Sequence, residues 1–378
     1  MAIPYGRQSV DEDDIAEVVR VLRGDWLTQG PDVAAFEEEF AAACDAPHAV
    51  AFSSGTAALH GAAFAAGVGP GDTVVTSAIT FAASANCAAY LGATPVFADI
   101  DPVTWNVSAE TCAAAGAARA RAVIPVHFAG LPAPIAEIRA AVGDGAAIIE
   151  DAAHAVGAHV DGVPVGSCEH SDMAIFSFHP VKTMTTGEGG MVTTRDPELR
   201  DRLIRFRTHG IVAAPDTPGE GGWFQEQHDL GFNYRLTDIQ AALGRSQLRK
   251  VGGFVTRRNE IAARYREGLG DVDGLVLAPP APPGSLHAHH LFVVWLEAGA
   301  DARRALYDRL RAAGVLVQVH YVPVYRHPWY RETYGYAPGL CPDAERYYAG
   351  CLSLPCFPAL TDAEQDHVIG EIHAALGA

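Results

Sequence analysis

The chain has 378 residues, of which 49% are hydrophobic and 19% are charged, and its formal net charge is −18. This length allows a sizeable core and more than one domain, and the composition is typical of a globular protein. The negative charge argues against a nucleic-acid-binding protein, and no apolar run is long enough to span a bilayer. The chain shows no secretory signal and its cysteines form no C-x-x-C pair, so we expect reduced thiols and a cytoplasmic protein.

Lysine is rare in this chain, since Lys182 and Lys250 are the only two among 27 basic residues. An arginine guanidinium stays protonated and is a poor nucleophile, so covalent catalysis by a side-chain amine must use one of these two positions. Lys250 is interpreted as the end of a helix, in Leu248-Arg249-Lys250, where a solvated cation is expected. Lys182 follows a predicted strand and precedes a segment rich in glycine and threonine, which makes it the better candidate.

The first part of the chain alternates predicted helices with short predicted strands. Apolar residues at helical spacing predict helices over 11–23, 31–44, 56–68, 80–91, 134–142 and 197–208. Short apolar runs predict strands over 49–52, 73–77, 95–98, 122–127, 146–151, 174–178 and 191–194. This alternation indicates an α/β fold with a mainly parallel sheet that is covered on both faces.

The later part differs in pattern. A helical stretch over 236–269 ends before a proline-rich break at 278–285. The elements predicted beyond the break are a strand at 290–296, a helix at 301–313, a strand at 315–319, an aromatic loop, and a last helix whose capping box is Thr361 with Glu364. We therefore predict a large α/β domain over 1–245 and a smaller C-terminal α+β domain over 246–378.

Three polar segments have both a functional and a structural interpretation. The SSGT segment at 53–56 is typical of a phosphate cradle at a helix N-terminus, and an ordinary helix cap fits equally well. Asp151 ends an apolar strand, where ligands bind in α/β sheets, although a capping acid is the simpler interpretation of this residue alone. The HAHH segment at 287–290 lacks a carboxylate or cysteine at a ligand spacing, so we predict no metal there.

Longer motifs resemble one family across nearly the whole chain. They are SSGTAAL at 53–59, EDAAHA at 150–155, SFHPVKTMTTGEGG at 177–190, GFNYRLTDIQAALG at 231–244 and VHYVPVY at 319–325. Together they are similar to the DegT/DnrJ/EryC1/StrS sugar aminotransferases, which are fold-type-I pyridoxal-phosphate enzymes. The resemblance implies pyridoxal phosphate as cofactor, glutamate as amino donor, and a homodimer that shares its active sites.

The resemblance also implies roles for particular residues. Lys182 would be catalytic and would form the Schiff base, and Asp151 would face the pyridine nitrogen of the cofactor. The other implied cofactor contacts are Ser54, Gly55, Thr56, Phe81, His154, Ser177 and, from the neighbouring subunit, Asn233. The implied sugar-nucleotide contacts are Tyr5, Trp26, Leu27, Thr28, His179, Asn233, Arg235, His320 and Tyr321.

Some motifs narrow the expected substrate. The opening segment consists of GRQSVDEDDIAEVV at 6–19 and DWLTQGP at 25–31. Together with SFHPVK at 177–182 and SLPCF at 353–357, it most resembles the transaminases that make UDP-4-amino-4,6-dideoxy-N-acetyl-altrosamine, a pseudaminic acid precursor. We therefore predict amination at C4 of a UDP-4-keto-6-deoxy-N-acetylhexosamine. Two alternatives stay open: a dTDP- or GDP-linked 3- or 4-keto-6-deoxy sugar, and a regulatory or binding protein without catalysis. A dehydratase of the same family is disfavoured, because those relatives have histidine in place of the lysine.

Overall fold

The structure is a computed structural model that describes residues 2–377. Its strands are β1 (Ile3–Pro4), β2 (His48–Phe52), β3 (Thr73–Ser77), β4 (Thr94–Ala98), β5 (Ala122–Ile124), β6 (Ala147–Asp151), β7 (His159–Val160), β8 (Val163–Pro164), β9 (Met173–Ser177), β10 (Gly190–Thr194), β11 (Ile211–Ala213), β12 (Gln225–Gln227), β13 (Leu275–Leu277), β14 (Phe292–Leu296), β15 (Val315–Leu316) and β16 (Cys351–Leu354). Its α-helices are α1 (Glu12–Leu22), α2 (Pro31–Ala43), α3 (Gly55–Ala65), α4 (Ala83–Tyr90), α5 (Ala109–Ala114), α6 (Ile135–Val142), α7 (Pro197–Arg207), α8 (Asp238–Leu248), α9 (Val251–Leu269), α10 (Ala300–Ala312), α11 (Pro328–Tyr334), α12 (Pro342–Gly350) and α13 (Asp362–Leu376).

A seven-stranded sheet forms the centre of the first part, in the order β2-β10-β9-β6-β5-β3-β4. The neighbours are parallel except for β10, which runs antiparallel to both β2 and β9. Consecutive strand residues such as Ile148 and Ile149 belong to different core clusters, because alternate side chains point to opposite faces. Both faces are therefore covered, as the short apolar runs predict.

The later part contains an antiparallel three-stranded sheet, β13-β14-β16, which packs with the helices that surround it. β1 pairs in parallel with β15, so the first residues of the chain join this part. The predicted boundary between 245 and 246 falls inside α8, which packs against α1 and α2. The division of the chain into two domains stays a prediction.

Among the differences from the predicted elements, two concern long stretches of the later part. The helical stretch over 236–269 is two helices, α8 and α9, because the chain turns at Arg249 and Lys250. The Lys250 ammonium bonds Asp11 and Asp14 instead of extending into solvent, which ties this turn to the start of α1. The predicted aromatic loop contains α11 and α12, each with proline at its first residues, where a missing N–H costs no helical hydrogen bond.

Several findings concern side chains away from the central cavity. All seven cysteines lie within residues 2–377, and all are buried and free. The histidines of the 287–290 segment are also buried, and the described residues contain no group of three His, Cys, Asp or Glu side chains that could hold a metal. No helix in the same part of the chain is long and apolar enough to cross a membrane. The cytoplasmic location stays a prediction.

Candidate active site

A cavity of about 450 Å³ lies at the carboxyl edge of the central sheet. β2, β3, β6 and β9 run in the same direction, so the segments that follow them meet at this edge, where ligands bind in α/β folds. The cavity is lined by Tyr5, Ser54, Gly55, Thr56, Leu59, Thr80, Phe81, Ala83, Ser84, Val126, Asp151, Ala153, His154, Ile175, Ser177, His179, Val181, Lys182, Glu188, His320 and Tyr321. The fold thus brings most of the predicted site residues into one cavity.

Lys182 lies in the loop between β9 and β10, where its main-chain N–H donates to the His179 carbonyl at 2.9 Å. Burial lowers the pKa of the Lys182 amine to about 8, and the negative charge of Asp151 opposes part of this shift. Within residues 2–377, Lys250 forms ion pairs with Asp11 and Asp14, whereas Lys182 has no ion-pair partner. An amine of this kind is partly neutral near physiological pH, so it can act as a nucleophile or a base.

Asp151 ends β6 and is 5% exposed. Its Oδ2 accepts a hydrogen bond from the Ser84 hydroxyl at 2.6 Å, and its Oδ1 accepts one from the Ala153 N–H at 3.2 Å. Both carboxylate oxygens are thereby oriented, and the side chain lines the same cavity as Lys182. A carboxylate fixed in this way can face a positively charged ring nitrogen.

An anion cradle lies where β2 leads into α3. The Ser54 hydroxyl caps α3 by accepting from the Ala57 N–H at 3.1 Å, which leaves the Gly55 and Thr56 N–H groups of the first turn for a ligand. A Cβ at Gly55 would lie 2.7 Å from the Ser177 Cβ, so only glycine lets the helix start approach the end of β9 this closely. Small residues and free N–H groups together make a site suited to phosphate.

Aromatic side chains form the cavity walls. Phe81 is 62% exposed and its ring centroid lies 6.3 Å from that of Tyr321. The Tyr321 hydroxyl is 3.3 Å from His154 Nε2, whereas His154 Nδ1 is buried without a hydrogen-bond partner within residues 2–377. Burial, followed by the positive charge of Lys182, holds the pKa of His154 well below its usual range, so this ring is neutral.

Tyr5, His179 and His320 also line the cavity. His320 Nδ1 lies 2.8 Å from the Ser353 hydroxyl, and the His320 ring contacts that of Tyr5 with centroids 5.1 Å apart. Burial, followed by the positive charge of Lys182, lowers the pKa of His320 to about 3. Tyr5 and His320 therefore offer uncharged hydrogen-bonding groups to a substrate.

The remaining predicted residues do not line this cavity; they are Trp26, Leu27, Thr28, Asn233 and Arg235. Their two segments lie side by side, because Thr28 pairs with Thr237 and the Leu27 carbonyl accepts from the Asp238 N–H at 3.0 Å. Trp26 is 59% exposed and Asn233 is also exposed. Their predicted roles therefore need a second chain or a movement of these segments.

Sequence reasoning missed several cavity residues, above all Thr80 and Ser84 behind Asp151 and Glu188 at the opening. Ser84 follows the predicted stacking residue Phe81 by three positions, and Glu188 stands inside the TTGEGG segment. Ser84 and Glu188 are thus both close in sequence to predicted site residues. Their contribution depends on a helix start and a loop conformation that no periodicity describes.

The residues and the volume of the cavity fit pyridoxal phosphate. The glycine-lined cradle would accept the phosphate, the amine of Lys182 would meet the aldehyde, and Asp151 would face the ring nitrogen. The unpartnered buried Nδ1 of His154 is a polar atom for which a bound polar group would supply a partner. The volume of about 450 Å³ lies within the usual range for small-molecule sites.

Comparisons with known proteins agree with this geometry. The profile of the DegT/DnrJ/EryC1/StrS aminotransferase family matches residues 8–373. The chain is 39% identical over 373 residues to the spore coat polysaccharide biosynthesis protein SpsC of Bacillus subtilis (strain 168), covering 97% of this chain and 95% of that protein. The match confirms the resemblance predicted from the sequence motifs.

Solved structures are similar over the whole length. Helicobacter pylori PseC, an aminotransferase involved in the biosynthesis of pseudaminic acid, is 28% identical with a TM-score of 0.92, covering 100% of both chains. The putative sugar aminotransferase Spr1654 from Streptococcus pneumoniae, in its PLP-form, is 27% identical with a TM-score of 0.92, covering 100% of this chain and 99% of that one. These structures confirm the predicted fold class, and the family's dependence on pyridoxal phosphate confirms the predicted cofactor.

Proposed function

Because the chain belongs to the DegT/DnrJ/EryC1/StrS aminotransferase family, we propose that it transfers an amino group from an amino acid to a nucleotide-linked keto-sugar. The observation that carries this proposal is the amine of Lys182, whose pKa burial lowers to about 8, in one cavity with Asp151 and a phosphate cradle. A regulatory protein with this fold would have no need of a lysine held free of an ion pair.

The proposed substrate is a UDP-4-keto-6-deoxy-N-acetylhexosamine aminated at C4, with L-glutamate as donor. Similarity to PseC over the full length of both chains supports this choice. SpsC, which has the higher identity, is named only for spore coat polysaccharide biosynthesis, so a dTDP- or GDP-linked keto-sugar remains the second candidate.

The cofactor would be held by side chains on each of its edges. Ser54, Gly55, Thr56 and Ser177 would bind the phosphate, and Asp151 would face the ring nitrogen. Phe81 would cover one ring face, with His154 at the ring. When bound, pyridoxal phosphate joins an amine through its aldehyde, and its ring accepts the electron pair that a bound amino acid releases with its α-proton.

Lys182 would hold the cofactor in the resting enzyme and would move the proton during transfer. Once the donor amino acid has taken its place, the amine of Lys182 is free to take the α-proton, for which it must be neutral. A pKa of about 8 makes the neutral form accessible near physiological pH. The carboxylate of Asp151 would face the ring nitrogen and favour its protonated form.

A second copy of the chain would complete the site. The donor carboxylate and the sugar-nucleotide diphosphate are anions, but no arginine lines the cavity within the described residues. Asn233 and Arg235 lie outside the cavity of their own chain, next to the exposed Phe232. We place these two residues in the cavity of a partner subunit, which makes a homodimer with shared sites.

A panel of sugar nucleotides tests the substrate. The purified protein is incubated with L-glutamate, pyridoxal phosphate and 4-keto or 3-keto sugars linked to UDP, dTDP or GDP, and the products are identified by mass spectrometry and NMR. The UDP-linked 4-keto-N-acetylhexosamine should give the highest kcat/KM and a C4 amine. Preference for a dTDP- or GDP-linked sugar would reject the proposed substrate, whereas a protein that binds no cofactor would reject the enzyme assignment.

A further inference from the structure

Two buried hydroxyl groups stand behind the carboxylate of Asp151. Thr80 lies in the segment after β3 and Ser84 lies in the first turn of α4, with exposed fractions of 2% and 1%. The Ser84 Oγ is 2.6 Å from Asp151 Oδ2 and 2.7 Å from Thr80 Oγ1. The three side chains therefore form one continuous line of hydrogen bonds that ends in the cavity.

The direction of the protons in this line follows from the acceptor at its end. An ionised carboxylate can only accept, so Ser84 uses its single proton toward Asp151, and its weaker contact with the Phe81 carbonyl at 3.2 Å is secondary. Ser84 must then accept from Thr80, because it has no second proton to give. Each donor polarises the next one, so the line delivers a strengthened, charge-assisted bond to the carboxylate.

We propose that Thr80 and Ser84 are positioning residues that hold the carboxylate of Asp151 aimed at the ring nitrogen of the cofactor. The proposal rests on the proposed function, since it assigns Asp151 to that nitrogen. Oδ1 already accepts from the Ala153 N–H, so Ser84 supplies the bond that fixes the rotation of the second oxygen. The pair also ties the loop that carries Phe81 to Asp151, and so links two walls of the cofactor site.

Loss of the Ser84 donor changes the proton balance at the ring. A carboxylate that loses a donor becomes more basic and competes better for the proton of the ring nitrogen. A less positive ring withdraws fewer electrons, so the nitrogen joining Lys182 to the cofactor becomes more basic as well. The other titratable groups that sense the charge of Asp151 are Lys182, Tyr321 and Cys87, and none of them is altered by a change at Ser84.

The test compares wild type with Ser84→Ala and Thr80→Val in two measurements. The first is the pyridoxal phosphate dissociation constant, which should rise roughly twofold to tenfold in Ser84→Ala, because Asp151 loses its preset orientation and has to be ordered when the cofactor binds. The second is the pH titration of the absorbance of the lysine-bound cofactor, whose midpoint should move to higher pH. Thr80→Val should shift the dissociation constant and the midpoint in the same direction as Ser84→Ala does. Both shifts should be smaller, because the Ser84 donor remains.

Thr76→Val is the matched control. Thr76 is as buried as Thr80, but its hydroxyl donates to the Ile124 carbonyl at 2.9 Å and does not reach Asp151. It should leave the titration midpoint unchanged. An unchanged midpoint and affinity in Ser84→Ala, or an equal shift in Thr76→Val, overturns the positioning role. A wild-type protein that binds no cofactor overturns the proposed function instead, so the two failures are distinguishable.

Discussion

The two lysines of this chain have opposite surroundings. Lys250 Nζ lies 2.5 Å from Asp11 Oδ1 and 3.0 Å from Asp14 Oδ1. Partial burial lowers the pKa of Lys250, but hydrogen bonds to the two carboxylates outweigh this effect and the pKa is raised overall. Lys182 is also removed from water, and because it has no ion-pair partner in the described chain its pKa falls to about 8.

The difference indicates that a bonded carboxylate decides what a lysine amine can do. A carboxylate at bonding distance keeps the proton on nitrogen and leaves no lone pair for chemistry. The charge of Asp151 offsets only part of the pKa decrease that burial causes at Lys182. The oxygens of Asp151 accept hydrogen bonds from Ser84 and Ala153 instead. The same residue type thus serves as a structural cation in one region and as a candidate nucleophile in the other.

Exchanging each lysine for alanine should give the largest contrast in activity. Lys182→Ala should lower the rate of amino-group transfer by about 10³-fold or more, because both the cofactor attachment and the proton carrier are lost. Lys250→Ala should keep the wild-type rate within about twofold, because Lys250 does not line the cavity. The measurement is the conversion of bound cofactor after addition of L-glutamate, followed by absorbance. Retained turnover in Lys182→Ala would reject the mechanism.

Asp151→Asn should produce the next largest effect. The amide keeps the shape of the side chain but has no charge to hold a proton on the ring nitrogen, so kcat should fall roughly 10- to 100-fold while the cofactor still binds. The same change removes the charge that raises the pKa of Lys182, so that pKa should fall below about 8. The pH dependence of the rate of cofactor association, measured by stopped flow, reports this lower pKa of Lys182. A wild-type rate would mean that Asp151 is a structural acid.

The contrast between the lysines was partly visible in the sequence. Two lysines, one in SFHPVK and one after a helix, were enough to select Lys182, and the alternation of strands and helices was enough for a mainly parallel sheet. The ion pairs of Lys250 were not visible, because Asp11 and Asp14 lie far away in sequence. Long-range contacts of this kind leave no periodic pattern.

Other parts of the fold and site could not be predicted for similar reasons. The antiparallel direction of β10 depends on the connection from β9 through the Lys182 loop, and an apolar strand looks the same in either direction. The strands β13 and β16 are only three and four residues long, too short for a periodicity. The hydroxyl donor to Asp151 is Ser84, which lies at a helix start after β3 and resembles an ordinary turn residue in the sequence.

Subunit exchange between two impaired variants tests whether the active site around Lys182 needs a second chain. The ion pairs of Lys250, by contrast, are complete within one chain. Lys182→Ala and Asn233→Ala proteins should each be impaired alone. After subunit exchange, one site of each mixed dimer carries both changes and the other carries neither, so about one quarter of wild-type activity should return at equal mixing. Mass spectrometry verifies exchange. Exchange without recovery would mean that Asn233 acts within its own chain.

The smallest effect concerns stability, and here the two lysines should respond to pH with opposite sign. The ordinary pKa of lysine is 10.5, and folding lowers that of Lys182 to about 8. Between these values the unfolded chain binds the additional proton, so Lys182 makes the cofactor-free protein more stable as pH rises through this window. Folding raises the pKa of Lys250, so its contribution is complete below the ordinary value and disappears as pH rises through the folded value.

Urea unfolding of the cofactor-free protein from pH 7 to pH 10 separates the two contributions when each variant is compared with wild type. Lys182→Ala should be more stable than wild type at pH 7, and this gain should shrink toward pH 10 because the buried amine of wild type loses its proton. Lys250→Ala should be less stable by about 1 kcal/mol across the range, since Asp14 is fully buried and loses its cation. Other titrating groups cancel in these differences. Parallel pH curves for Lys182→Ala and wild type would mean that the Lys182 amine is not shifted, and the contrast between the two regions would then lie in geometry alone.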